Sequence, residues 1–135
     1  MHAPDAYESD NTATTAKAYV GTPQTGHTFH EVGDVDWVVV YVPNAAQATF
    51  ETYNIQGSDT ILDLYAYNAS TGAQGSLLAT NDNKCTVVTD VNCRGSKIVR
   101  SVPAQSAFFV RVRNKAGYGP NPYEPTAPGY SLRIF

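Results

Sequence analysis

Asp34 and Asp36 stand two residues apart in "GDVDWVVV" (33–40), directly against the apolar run Val38-Val39-Val40. In an extended chain, side chains two residues apart point the same way. The spacing therefore puts two carboxylates on one side of a strand at the mouth of a core, where like charges repel and resist desolvation. Something must compensate them. The earlier stretch "DAYESDNTATTA" supplies Asp5, Glu8, Asp10 and Asn11. If it folds back beside the strand at 36–43, six oxygen-bearing side chains converge, which is the donor type and number that Ca2+ takes, with carbonyls and water filling gaps. The group holds no thiol or imidazole, which disfavours zinc and copper. A bound Ca2+ would relieve the repulsion between Asp34 and Asp36 and fasten the N-terminal segment to the domain.

Other reactive side chains offer less. His2 sits near the start, and His27 and His30 share one short strand. His30 near Asp34 or Asp36 resembles half of an acid–base pair, but no Ser or Cys nucleophile is placed with it. No nucleophile elbow, H-E-x-x-H helix or phosphate loop occurs, so the reading is non-enzymatic. Cys85 and Cys93 lie in the polar stretch "NDNKCTVVTDVNCRGS", without the further ligands of a structural zinc site. They are expected to form a disulfide, which implies an oxidising compartment and an extracellular or cell-surface protein. Asn68-Ala69-Ser70 is a glycosylation sequon, meaningful only in a secreted eukaryotic protein.

The elements that must position these groups read as strands throughout. No segment of useful length shows the 3.6-residue apolar period; short β-rich runs recur between turn residues instead. The pattern predicts strands at about 27–31, 36–43, 47–54, 60–67, 77–80, 96–102, 106–113 and 129–135, and only 12–18 suits a short helical turn. Strands without helices predict an all-β, antiparallel sandwich of jelly-roll type. Residues 5–135 form the single domain, and residues 1–4 a disordered or added start. Alternation assigns Leu62, Leu64, Ala66, Phe108, Val110, Val112, Tyr130, Leu132 and Ile134 to the core. It leaves Tyr53, Tyr65, Tyr67, Arg111 and Arg113 on an outer face. That face is either solvated and laced with ion pairs, or a recognition surface, since Tyr and Arg favour binding.

Charged residues make up only 16% of the chain against a usual value of about 25%, so solubility rests on uncharged polar side chains, as in many extracellular β-proteins. The net charge of −3 gives no reason to expect nucleic acid. No apolar stretch reaches the roughly 18–20 residues of a membrane helix, and "MHAPDAYESD" has no apolar signal-peptide core. The charges are segregated: residues 1–83 hold ten acids and one base, residues 84–135 eight bases and two acids. Either strands of the two halves interleave and pair, or the molecule has an acidic and a basic end suited to head-to-tail contact.

Seven motifs together carry a resemblance: "DAYESDNTATTA", "GDVDWVVVYV", "SDTILDLYAYN", "LLATNDN", "SKI", "FFVRVRN" and "GYSLRI". In order and spacing they resemble the bacterial pre-peptidase C-terminal domain and the related collagen-binding domains of clostridial collagenases. The resemblance spans about residues 5 to 135. It implies a non-catalytic β-sandwich attached to secreted or surface proteins and stabilised by calcium at its N-terminal linker, with Glu8, Asp10, Asn11 and Asp36 as ligands and Asp34 assisting. The family's Glu-Pro-Asn step reads Glu8-Ser9-Asp10 here, which keeps the oxygen donors. In the collagen-binding relatives the strand matching Ser106–Lys115 carries surface tyrosines where this chain has Arg113 and Lys115, which speaks against collagen. The expected function is a calcium-stabilised extracellular module for binding or adhesion, or an accessory to a secreted protein. Its partner would be an extracellular polymer, a host-protein domain or neighbouring copies of itself. The alternative is a structural subunit of an extracellular filament.

Overall fold

The structure, a computed structural model, describes residues 5–31, 33–85, 91–115 and 127–135. The expected start at 1–4, with His2, and the insert around 116–126 lie outside the described residues. Among the described residues nine strands form two packed sheets: β1 Lys17–Ala18, β2 Gln24–Thr28, β3 Val35–Val42, β4 Ala46–Gln56, β5 Thr60–Tyr67, β6 Gln74–Asn81, β7 Lys97–Val102, β8 Ser106–Asn114 and β9 Gly129–Ile134. The first sheet has the order β1-β3-β8-β5-β6 and the second β2-β9-β4-β7. All pairings are antiparallel except that of β1 with β3.

Each inner face follows from alternation. Leu62 and Leu64 of β5, Val110 and Val112 of β8, Val38 of β3, and Phe50 and Leu132 of the facing sheet are sealed in one core with Phe29 and Tyr130. The charge segregation resolves as interleaving. Asp63 of β5 pairs with Arg111 and Arg113 of the neighbouring β8, Glu51 with Lys84 and Arg133, and Asp82 with Lys115. Each pair joins an acid from the first part of the chain to a base from the second.

Strand β6 spans 74–81 rather than 77–80, and the larger departures from expectation lie at the beginning of the chain. Strand β1 is too short for a periodic signal, and it is preceded by a 3-10 turn at Ala13–Thr15, within the segment read as a helical turn. Strand β2 covers 24–28 rather than 27–31, because Gln24, Thr25 and Gly26 offer no apolar alternation. The outer face of the first sheet is also not simply solvated. Ala13 and Ala16 of the N-terminal segment pack on a second cluster of Trp37, Tyr65 and Phe109. Tyr65, expected outside, is only 8% exposed.

Two glycines shape the entry to β3 and the β2–β9 pair. Gly33 has φ +82°, a left-handed turn just before Asp34 that an L side chain resists. At Gly129 an added Cβ would stand 2.7 Å from the His27 carbonyl, so only glycine lets β9 approach β2 here.

Candidate metal centre

The N-terminal segment lies along β3. The Trp37 N–H donates to the Asp10 carbonyl at 2.8 Å, and Tyr19 N–H to the Val39 carbonyl at 2.9 Å. Strand β1 then pairs parallel with β3, Lys17 opposite Val38. This brings Asp5, Glu8, Asp10 and Asn11 to the start of β3, where Asp34 and Asp36 stand. Asp10 and Asp36 are fully buried and Asp34 is 5% exposed.

Backbone donors hold part of the set. Asp5 accepts Tyr7 N–H on Oδ1 at 2.8 Å and Thr28 N–H on Oδ2 at 2.7 Å. Asp34 accepts His30 N–H at 3.1 Å. Asp36 Oδ2 accepts the Tyr130 hydroxyl at 2.5 Å. The Asn11 amide faces two acceptors, Asp34 Oδ1 and the Val35 carbonyl, both at 2.9 Å, so in the cation-free protein its nitrogen donates to them. Turned over, the same amide would offer its oxygen beside theirs.

What remains is a surplus of buried oxygen. Both carboxylate oxygens of Asp10, Oδ1 of Asp36 and Oε1 of Glu8 are buried without a hydrogen-bond partner. Among the described residues no Lys or Arg pairs with Asp5, Glu8, Asp10, Asp34 or Asp36; only His27 and His30 reach them. Buried polar groups are ordinarily satisfied, so this concentration of bare acceptors asks for a cation or for protons.

The titration of the group says the same. Burial, then the neighbouring Asp36, Glu8 and Asp5, push Asp10 up to about 9. Burial raises Asp34 to about 6. Asp36 goes well above the usual carboxylate range, chiefly by burial, although the Tyr130 hydrogen bond pulls the other way. Without a cation, burial favours the protonated form of Asp10 and Asp36, whereas Asp34 is mostly ionised at neutral pH. The donors fit Ca2+: hard oxygens in number, from Glu8, Asp10, Asn11, Asp34 and Asp36, with Glu8, Asp10 and Asp36 each offering an oxygen within 4.8 Å of the others'.

The group does contain imidazole, contrary to the reading of its donors as oxygen alone. His30 lies beside Asp34, where the sequence had placed it near Asp34 or Asp36, and His27, which was not expected there, enters the site as well. His30 Nδ1 lies 2.9 Å from Asp34 Oδ2 and 3.5 Å from Glu8 Oε1. His27 Nδ1 lies 3.6 Å from Asp36 Oδ2 and 3.8 Å from Asp5 Oδ2. A signal existed in the sequence: His27 is two residues from Phe29, so in a strand it shares that residue's buried face.

The remaining singled-out residues are scattered. Tyr67 is 39% exposed and stacks on Phe109. Arg111 and Arg113 both reach Asp63, with Nε–O distances of 3.0 and 2.9 Å, and Thr80 donates to the same carboxylate at 2.6 Å. Tyr53 belongs to the other sheet, under the Arg133 guanidinium at 4.4 Å, so the five do not form one face. Asn68 is exposed at the β5–β6 turn, where its side chain accepts Ser70 N–H. Cys85 and Cys93 are joined in a disulfide.

No protein-family model and no curated protein matches the chain. Among solved structures, the pre-peptidase C-terminal domain of a collagenase from Bacillus anthracis is similar at a TM-score of 0.57 and 14% identity. The match covers 89% of this chain and 94% of that one. The fold is that of a pre-peptidase C-terminal domain. The resemblance read from the sequence motifs therefore holds at the level of architecture, a two-sheet β-sandwich. A more distant likeness is to CorA, a surface-associated copper-binding protein important in copper acquisition by Methylomicrobium album BG8, at a TM-score of 0.45 and 10% identity, covering 89% of each chain.

Proposed function

We propose that this chain is a non-catalytic extracellular β-sandwich module whose N-terminal segment is fastened to the sandwich by Ca2+. The observation that carries the reading is Asp10. Its side chain is wholly buried, both oxygens lack a partner, and no Lys or Arg among the described residues pairs with it or with the acids around it. Ca2+ would be held by Glu8, Asp10, Asn11 and Asp36, with Asp34 beside them; it supplies positive charge and no chemistry. The disulfide and the low charge content support an oxidising, extracellular setting. The module would serve binding or adhesion, or assist a secreted protein.

The test is thermal unfolding in chelator and in added Ca2+. Calcium at about 100 times its dissociation constant should add about 2.7 kcal/mol of stability, and Asp10→Asn should remove most of that gain. A melting curve indifferent to both EDTA and Ca2+ would sink the reading.

A further inference from the structure

His27 occupies an unusual place. Its ring is stacked between Tyr7 and Tyr130, with centroids 4.0 and 4.8 Å away, and it is 1% exposed. Its Nε2 lies 2.8 Å from Gln24 Oε1, an oxygen that can only accept, so Nε2 carries the hydrogen. In the neutral ring Nδ1 then bears a lone pair. That atom is buried without a hydrogen-bond partner and points between Asp5 Oδ2 and Asp36 Oδ2, at 3.8 and 3.6 Å. The three ligand atoms lie within 4.8 Å of one another.

We propose that Asp5, His27 and Asp36 form a second metal position, selective for a borderline transition dication of the Zn2+ class and distinct from the oxygen-only calcium position. One imidazole nitrogen with two carboxylate oxygens is a donor set that suits zinc and its neighbours, whereas Ca2+ takes oxygen. The outer contacts are those of a built site. Gln24 fixes the tautomer of His27 and two tyrosine rings fix its plane. Thr28 N–H orients Asp5 and the Tyr130 hydroxyl orients Asp36, as the groups behind metal ligands do. Charge points the same way. Asp5, Glu8, Asp10, Asp34 and Asp36 carry five negative charges when ionised, and one Ca2+ leaves three of them uncompensated. A second dication leaves one. The position stands beside the calcium reading and does not need it, although Asp36 would serve both.

Imidazole nitrogen NMR tests it directly on the unaltered protein. Chelator-stripped chain is made replete in Ca2+, and Zn2+ is then titrated in. One equivalent should move His27 Nδ1 out of the range of a bare nitrogen while Nε2 keeps its hydrogen, with the ring assigned by its contacts to Tyr7 and Tyr130. His27→Gln should abolish this uptake, and Gln24→Leu, which touches none of the calcium ligands, should weaken zinc binding about 10–100-fold while keeping the stabilisation by Ca2+. Unchanged His27 nitrogens overturn the proposal. So does a response confined to His30, which would place the ion at Glu8, His30 and Asp34, and so does zinc uptake by His27→Gln equal to that of the parent. Loss of the calcium effect alone, with the His27 response intact, would count against the calcium reading and leave this one standing.

Discussion

The Tyr130 hydroxyl donates to Asp36 Oδ2 at 2.5 Å, and this bond crosses the sandwich from β9 in one sheet to β3 in the other. The acidic site is thus anchored in the core as well as at the edge. Tyr130→Phe keeps the ring that stacks on His27 and Phe29 but removes a donor to Asp36. A hydrogen bond to an ionised group contributes about 1.5–3 kcal/mol, one between neutral groups about 0.5–1.5 kcal/mol. The variant should therefore lose more stability in Ca2+, where Asp36 is ionised, than in chelator, where Asp36 holds a proton. Denaturant unfolding of both proteins under both conditions measures the difference. Equal losses would mean that the cation leaves the charge of Asp36 unchanged.

The cation-free protein should have an unusual dependence on pH. A carboxyl whose folded pKa exceeds its unfolded value of about 3.9 stabilises the fold fully below that value and loses the effect as pH rises through the folded pKa. Asp34, at about 6, and Asp10, at about 9, act in this sense. Burial lowers His27 to about 4, against the pull of Asp5, Glu8 and Asp34, so its contribution has the opposite sign and grows up to its unfolded value of about 6.5. Between pH 4 and 6 Asp34 and His27 oppose each other. Above about 6.5 Asp10 and Asp36 act alone. In chelator the melting temperature should then fall from pH 6.5 to 9, and saturating Ca2+ should flatten the slope by replacing the protons. A flat profile in chelator would show that Asp10 is ionised in the folded protein.

The sequence carried the sandwich because alternation is a local signal. Leu62, Leu64, Phe108, Val110, Val112, Tyr130 and Leu132 all pack in the core where their spacing put them. It also carried the meeting of Glu8, Asp10 and Asn11 with Asp34 and Asp36, since the need to compensate two carboxylates at a core can be read without coordinates. Alternation has no knowledge of what covers an outer face, however. Trp37, Tyr65 and Phe109 are buried because residues 13–16, from before the first long strand, lie on them. His27 was missed for a similar reason. Its spacing from Phe29 marks it as buried, but its place in the site comes from β2 pairing with β9, where His27 faces Tyr130, a long-range contact that spacing does not carry.

The Cys85–Cys93 disulfide ties the segment after β6 to the 3-10 turn Val91–Arg94 before β7. A loop so short contributes about 2–3 kcal/mol when closed. Reduction should lower the melting temperature by roughly 5–10 °C for a domain of this size. Thiol counting on denatured protein should find none without reductant and two after reduction. Free thiols in the unreduced protein would remove the main support for an oxidising compartment.

Neighbouring tyrosines of β5 should behave differently. Tyr65 is buried against Trp37, with the Arg111 guanidinium 5.4 Å from its ring, whereas Tyr67 is partly exposed at the strand's end. Tyr65→Ser should cost about 3–5 kcal/mol, as emptying an aromatic core position does. Tyr67→Ser should cost less than about 1 kcal/mol, so any partner that docks on this face is properly tested at Tyr67. The N-terminal segment that covers the aromatic cluster is the one that carries Asp10 and Asn11. Releasing the cation should loosen that cover, and the penalty of Tyr65→Ser should then shrink in chelator. Urea unfolding of the two variants, with Ca2+ and with EDTA, decides it. A Tyr65→Ser penalty that stays the same in both would mean the segment holds its place on the sheet without any bound ion.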